Sequence, residues 1–319
     1  MAVSTLQVPA QPKSPAKPRT TRRPRPPGHA SQMTFVVSGL IPIMVMFAIF
    51  AFLPVGIVLW LSLHKYNQLA PVAPFIALRN FEFAFTKDPL FINALVVTLK
   101  YALVAVPLNL LIALPIAIGL NQITRLRALF RSAFFLPTVA SAVGVSLIWR
   151  YLYEPQAGAL NAVMAAFGLP QPSWLNDPAT ALWAILVTAV WQDLGYNILI
   201  LLAGLQTIPD DFYDAAKVDG AGAWPRFLDI TMPLLSRTLL FVSVLTMISY
   251  LQQFTYVQIM PREPGNPIHS TETLVLYIYT KAFSNMQLGY ASAISVVLMA
   301  IILAITLLQF RLVRSNWEY

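Results

Sequence analysis

The chain has no cysteine, which excludes disulfides, thiolate metal sites and cysteine nucleophiles without by itself fixing a compartment. Charge is scarce as well: Asp, Glu, Lys and Arg make up 11% of the residues, against roughly 25% in an ordinary soluble domain. With 57% apolar residues and a positive mean hydropathy, the composition excludes a water-soluble fold and indicates a bilayer protein. Histidine is sparse too. His29, His64 and His269 fall in the amino-terminal segment and two expected loops, away from paired carboxylates, so neither a metal centre nor a catalytic constellation is expected. No G-x-x-x-x-G-K-S/T phosphate loop occurs, so the chain is not expected to be an enzyme or to bind a cofactor of its own.

What the sequence does contain is apolar runs long enough to cross a hydrocarbon core of about 30 Å at 1.5 Å per residue. They cover 35–63, 92–120, 133–153, 181–205, 234–260 and 290–312. They lack the alternation of barrel strands, so the expected fold class is all-α and integral to the membrane, with six transmembrane helices. Pro107, Pro115 and Pro137 predict kinks in or near these helices.

Lys and Arg placement sets the expected topology. Lys13, Lys17, Arg19, Arg22, Arg23 and Arg25 crowd a tail with no acid, and Arg125, Arg127 and Arg131 follow the second run. Both termini and the 206–233 loop are then cytoplasmic. The expected organisation is a Pro-rich, unstructured basic tail (1–33), a first transmembrane helix (34–63), an extracytoplasmic segment (64–91), a core (92–314) and a short terminus (315–319). The first run is too long for a cleaved signal, so it reads as an anchor. The tail serves as a topogenic signal or as a contact with anionic lipid. The positive charge is not interleaved with aromatics on one face, which argues against nucleic acid.

The 206–233 loop carries its own punctuation. Pro209 suits a first helical position, Asp210 and Asp211 meet the positive end of the dipole, Lys217 suits the other end, and Gly220 suits a left-handed stop. Phe212, Ala215 and Ala216 form a narrow apolar face, and Trp224-Pro225 opens a second short helix with Phe227 and Leu228. Such amphipathicity fits either a docking insert or a helix lying on lipid headgroups.

Polar residues inside the spans are the candidates for a binding site, because each is costly there unless used or paired. Asp193 sits midway along the fourth run with Tyr196 and Asn197 about a turn away, and Gly195 allows a close approach. Tyr250, Gln252, Gln253 and Tyr256 cluster in the fifth and should point into the bundle. Solute pathway and interhelical hydrogen bonding remain alternatives for all of them. Lys100 and Arg150 can snorkel, and Trp60, Trp149, Trp183 and Tyr153 fall where interfacial aromatics sit.

Asp214, Ala215, Ala216, Asp219, Gly220, Ala221, Phe227, Ile230 and Pro233 resemble the EAA motif of binding-protein-dependent ABC importer permeases. The segments FIALRNFEFAFTKDPLFINALVVTLKY (75–101), FRSAFFLPTVASAVGVSLIWRYLYEPQAGALN (130–161), LAGLQTIP (202–209) and LGYASAISVVL (288–298) resemble the carbohydrate branch, of the maltose and glycerol-3-phosphate permease type. Asp214 replaces the usual Glu, and 260–267 replaces the usual Gly-Gly-Pro loop.

The resemblance implies a type I importer fold and four kinds of partner: a second permease, two cytoplasmic ATPases that use ATP and magnesium, an extracytoplasmic binding protein, and membrane lipid. It implies a bacterial or archaeal inner membrane, makes 209–220 a coupling helix, and makes Gln252 and Gln253 similar in place to a sugar-binding amide pair. The competing expectation is a proton-coupled transporter titrating Asp193, although no inverted repeat is evident. A di- or oligosaccharide is the expected substrate, with glycerol-3-phosphate or another polyol ester as the alternative.

Overall fold

The structure is a computed structural model that describes residues 29–67, 69, 72–123 and 127–312. The basic tail through 28, Arg125 and the 315–319 terminus lie outside the described residues. The described elements are helices joined by turns, with one isolated antiparallel bridge between His64 and Phe75. Among the described residues, five helical runs are long and apolar enough to cross a membrane, or six if one bent pair counts as a span.

The chain divides into two compact units, 1–54 and 55–319. In the first, α1 (His29–Phe47) leads into a π-helical turn, Ala48–Phe52. The helix therefore begins inside the stretch expected to be unstructured, directly after the breakers Pro26, Pro27 and Gly28 in the sequence. Helix α2 (Leu53–Ser62) continues from that turn into the second unit.

Next come α3 (Arg79–Lys87) and α4 (Pro89–Gln122). Asp88 starts α4: its Oδ1 accepts from the backbone N–H of Leu90 at 3.1 Å and Phe91 at 3.2 Å, and Pro89 follows where no N–H is needed. Pro107 and Pro115 lie inside α4.

The expected third span is two helices. Helix α5 (Arg127–Val139) and α6 (Ala142–Leu152) meet at 93°. Pro137 lies in the last turn of α5, and Ser141 adopts an extended conformation at the corner. The carbonyl of Ala140 freed by the bend accepts from Gln192 Nε2 at 2.8 Å, and Thr138 Oγ1 donates to the Gln192 carbonyl at 2.8 Å. One residue thus satisfies both sides of the corner, as a low-dielectric setting requires.

After α7 (Ala159–Ala166) comes α8 (Ala181–Leu205), the centre of the bundle. Of its most apolar window 61% is buried, against 28% to 33% for the spans at 89–122, 223–259 and 288–312. Ala105, Ala113 and Ala117 of α4 are fully buried in the clusters they share with α8, and such small side chains let helix backbones come close.

Helix α9 (Asp210–Val218) and α10 (Ala223–Arg226) form the insert, which runs through a π-turn (Phe227–Thr231) into α11 (Met232–Leu251). The second short helix expected at Trp224 is therefore the start of the next span. Each of the π-turns at Ala48–Phe52 and Phe227–Thr231 ends two residues before a proline, Pro54 and Pro233. Proline cannot donate to the carbonyl four residues back, and the wider turn takes up that fault.

The fifth span is also interrupted. Helix α11 stops at Leu251, residues 252–254 are irregular, and α12 (Thr255–Ile259) resumes. Thr273, buried at the start of α13 (Leu274–Tyr279), donates its hydroxyl to the Gln253 carbonyl at 2.8 Å. A third π-turn (Thr280–Ser284) precedes α14 (Leu288–Leu312).

Candidate functional site

The two interrupted spans face one cavity. A space of about 360 Å³ is lined by Ala140 and Ala142 at the α5–α6 corner, by Gln192 and Asp193 of α8, and by Gln252 and Gln253 at the α11–α12 break. Irregular backbone at membrane depth is tolerated where it lines a cavity, and both breaks meet that condition.

The wall is a hydrogen-bonded polar network. Tyr256 donates to Gln192 Oε1, Gln253 Nε2 donates to the Tyr101 hydroxyl at 3.3 Å, and the Tyr250 hydroxyl, which accepts from Asn109 Nδ2 at 3.1 Å, stands beside the Asp193 carboxylate. Tyr101 and Tyr250 meet edge to face, with ring centroids 5.8 Å apart. Phe254, which also lines the cavity, packs on Tyr279 at 5.2 Å. Gln253 is buried, whereas Gln252 is exposed and also borders an apolar groove with Val275, Ile278 and Ser295. Amides, a carboxylate and an aromatic face on one surface can bind a polyhydroxylated solute by hydrogen bonds and apolar contact.

Of the residues expected here, Asp193, Gln252, Gln253 and Tyr256 line the cavity, and Tyr250 stands behind Asp193. The other two lie elsewhere. Asn197 is buried and donates to Asn109 Oδ1 at 2.7 Å and Thr246 Oγ1 at 3.1 Å, which ties α8 to α4 and α11. Tyr196 is exposed on another side of α8, as the 100° step per residue requires. Gly195 serves helix packing: a Cβ there would lie 2.1 Å from the Phe134 carbonyl oxygen of α5.

Sequence reasoning missed Gln192 and Thr138. Their role depends on the α5–α6 bend, and only Pro137 signalled it. Tyr153 is not an interfacial anchor; it is buried and donates to the Ala184 carbonyl at 3.0 Å. Trp60 and Trp183 are exposed, and Trp149 packs between Tyr153 and Trp191. Lys100 is exposed, while Arg150 reaches the Ile259 carbonyl at 3.5 Å. His269 bonds to Glu272 at 2.5 Å, a contact with a carboxylate that spacing did not suggest.

The insert forms the second candidate region. Pro209 is the residue before α9 in extended conformation, and Asp210 and Asp211 occupy the first turn. At the other end Gly220 has φ +79°, the Ala221 N–H bonds to the Ala216 carbonyl at 2.8 Å, and the Gly220 N–H bonds to Lys217 at 3.1 Å. This is the Schellman arrangement that a left-handed glycine permits.

Tyr213 and Ala216 face inward, with the Tyr213 hydroxyl 3.1 Å from Thr231 Oγ1. The apolar face expected from Phe212, Ala215 and Ala216 is split: Phe212 and Ala215 are exposed, and so are Val218, Trp224 and Leu228. Asp214 accepts from Lys217 Nζ at 2.7 Å on the surface. Asp214 and Phe227 border a second cavity of about 660 Å³, between α9 and the ends of α4 and α8. Asp219 and Ala221 flank the glycine turn, and Pro233 sits in the first turn of α11.

Residues 20–317 match the family model described as the inner membrane component of binding-protein-dependent transport systems. A probable ABC transporter permease of Bacillus subtilis, YesP, is 36% identical over 305 residues, covering 95% of each chain. The sn-glycerol-3-phosphate permease UgpA of Yersinia pestis is 29% identical, covering 88% of this chain and 94% of that one. A chain in the crystal structure of a bacterial ABC transporter that imports the acidic polysaccharide alginate shares the fold, with a TM-score of 0.78 at 21% identity over 90% of this chain and 98% of the other.

Proposed function

The chain belongs to the family of inner membrane components of binding-protein-dependent transport systems, and from that membership we propose that it is one of two permease subunits of an ATP-driven carbohydrate importer. The observation that carries the reading is the cavity at the two broken spans, where Asp193, Gln252, Gln253 and Phe254 offer a sugar hydrogen-bond partners and an apolar face. The similar proteins agree with a polyhydroxylated solute, since a permease named for sn-glycerol-3-phosphate and a transporter that imports alginate are among them.

In this reading the chain sits in the inner membrane with both termini and the α9–α10 insert in the cytoplasm. A second permease closes the pathway, two ABC ATPases dock on the insert, and a binding protein delivers solute from the other side. Phe212, Val218 and Trp224 are exposed apolar side chains on a polar insert, and they supply the docking surface. Asp214, Ala215, Ala216, Asp219, Gly220, Ala221, Phe227 and Pro233 shape the lever. Nucleotide binding does work on the cavity only through contacts that differ between two states of the pair, and the capped helix α9 is rigid enough to transmit them. ATP and magnesium belong to the partner ATPases.

The test is reconstitution. The chain, its partner permease, the ATPases and the binding protein are placed in proteoliposomes, and uptake of radiolabelled ligand of that binding protein is followed. ATP-dependent uptake that persists with a protonophore is expected. Uptake that needs no ATP and collapses with the proton gradient would overturn the proposal.

A further inference from the structure

The cavity at the broken spans has an uneven charge. Asp193 is the one ionisable acid among the residues lining it, and no lysine or arginine lines it. The groups around the carboxylate are neutral: the Tyr250 hydroxyl stands beside it, and Tyr101 and Tyr256 lie close by. The basic residues on neighbouring elements are engaged or distant. Arg150 of α6 is turned to the Ile259 carbonyl, Lys100 of α4 is exposed, and Arg131 lies seven residues, about 10 Å, along α5 from Thr138. Gln192 and Gln253, both buried, present amides but no charge.

Resting on the carbohydrate-import reading, we propose that this cavity passes saccharides that carry no negative charge, with Asp193 accepting hydroxyls from a neutral sugar and repelling phosphate, carboxylate and sulfate groups. A carboxylate is an acceptor only, so it matches the donors of vicinal hydroxyls and has nothing to offer an anion. An anion brought beside it meets a like charge in surroundings of lower dielectric than water, and no cation among this chain's lining residues offsets the repulsion. The chain thereby differs in solute class from similar proteins named for sn-glycerol-3-phosphate and for an acidic polysaccharide.

The natural absence of cysteine makes the local potential measurable. Gln252→Cys is made in the assembled, membrane-reconstituted complex, with the cysteine-free chain as the control for partner thiols. Its modification rate is measured at mildly alkaline pH with two ethyl methanethiosulfonates, one bearing trimethylammonium and one bearing sulfonate. Each rate is divided by the rate of the same reagent with a free thiol.

The cationic reagent is expected to react about tenfold faster than the anionic one, and Asp193→Asn is expected to bring the ratio to about one. A ratio near one with Asp193 present, a preference for the sulfonate, or a preference that survives Asp193→Asn would overturn the proposal. Should Gln252→Cys resist both reagents, Thr255→Cys, on the same wall, gives the same reading. Resistance at both positions, with and without ATP, means that polar solutes do not enter and also overturns it. The ratio needs no transport, so a failed uptake assay removes the importer reading and a flat ratio removes only the charge selection.

Discussion

Tyr277 donates its hydroxyl to Asp88 Oδ2 at 2.5 Å, which joins α13 to the start of α4. Tyr290 of α14 donates to the same oxygen at 2.6 Å, while Oδ1 caps α4. Burial opposes the charged carboxylate, but these hydroxyls, the Phe91 N–H and the Lys281 ammonium outweigh it and hold Asp88 below the ordinary carboxyl range. The folded value lies below the unfolded one. The stabilisation is therefore complete above about pH 4 and is lost as pH falls through the folded value.

Asp88→Ala removes a helix cap and strands two tyrosine hydroxyls, a loss of about 2 kcal/mol or more at neutral pH. The midpoint of thermal unfolding of the solubilised protein should fall at pH 7, and its distance from wild type should shrink near pH 3. Equal midpoints at pH 7 would show that the three-element joint carries no stability.

A second prediction concerns the corner beside the cavity. A methyl group on Gly195 would lie 2.1 Å from the Phe134 carbonyl oxygen and 2.7 Å from Thr138 Oγ1, and the first contact is with backbone that cannot turn aside. Gly195→Ala should force α5 from α8 and cost about 1 to 3 kcal/mol. Thr138 shares the corner with Gln192, so uptake should drop together with stability. Gly144→Ala is the control, because nothing lies within 4 Å of the Cβ it would add. Loss of the same size in both variants would refute the close-approach argument.

The helices and the glycine stop were legible because they rest on local chemistry: apolar length, the Asp210 and Asp211 start, and the left-handed turn at Gly220. The breaks were not. Around its corner the run 133–153 carries only Thr138 and Ser141 as polar residues, and the backbone at the 93° bend is satisfied through Gln192, which is distant in sequence. The sorting of Asp193, Tyr196 and Asn197 was equally hidden. Three polar residues within five positions point to three surroundings, and the packing of α4 and α11 decides which becomes cavity and which becomes joint.

That sorting gives a paired prediction. Asn197 bridges Asn109 and Thr246 with no cavity contact, whereas Gln252 is exposed on the cavity wall. Asn197→Ala should lower stability by about 1 kcal/mol and leave the KM for uptake unchanged. Gln252→Ala should leave the unfolding midpoint unchanged and raise KM severalfold. The reverse pattern would mean that the cavity wall has been misidentified.

The insert offers the sharpest separation of folding from coupling. Gly220 stands at φ +79° with no atom within 4 Å of the position its Cβ would take, so Gly220→Val meets no clash and strains only its own backbone. Forcing a β-branched residue there costs about 1 to 2 kcal/mol, relieved by unwinding the end of α9 while the buried spans stay intact. Asp214→Lys breaks the 2.7 Å pair with Lys217 and reverses the charge on an exposed surface, which costs the fold little. Both variants should therefore insert and assemble in normal amounts, yet lose most of the ATPase stimulation that binding protein and ligand produce in the reconstituted complex. Asp214→Glu, which keeps the charge, should retain it. Stimulation near wild type in both damaging variants would place the lever somewhere other than the α9 cap.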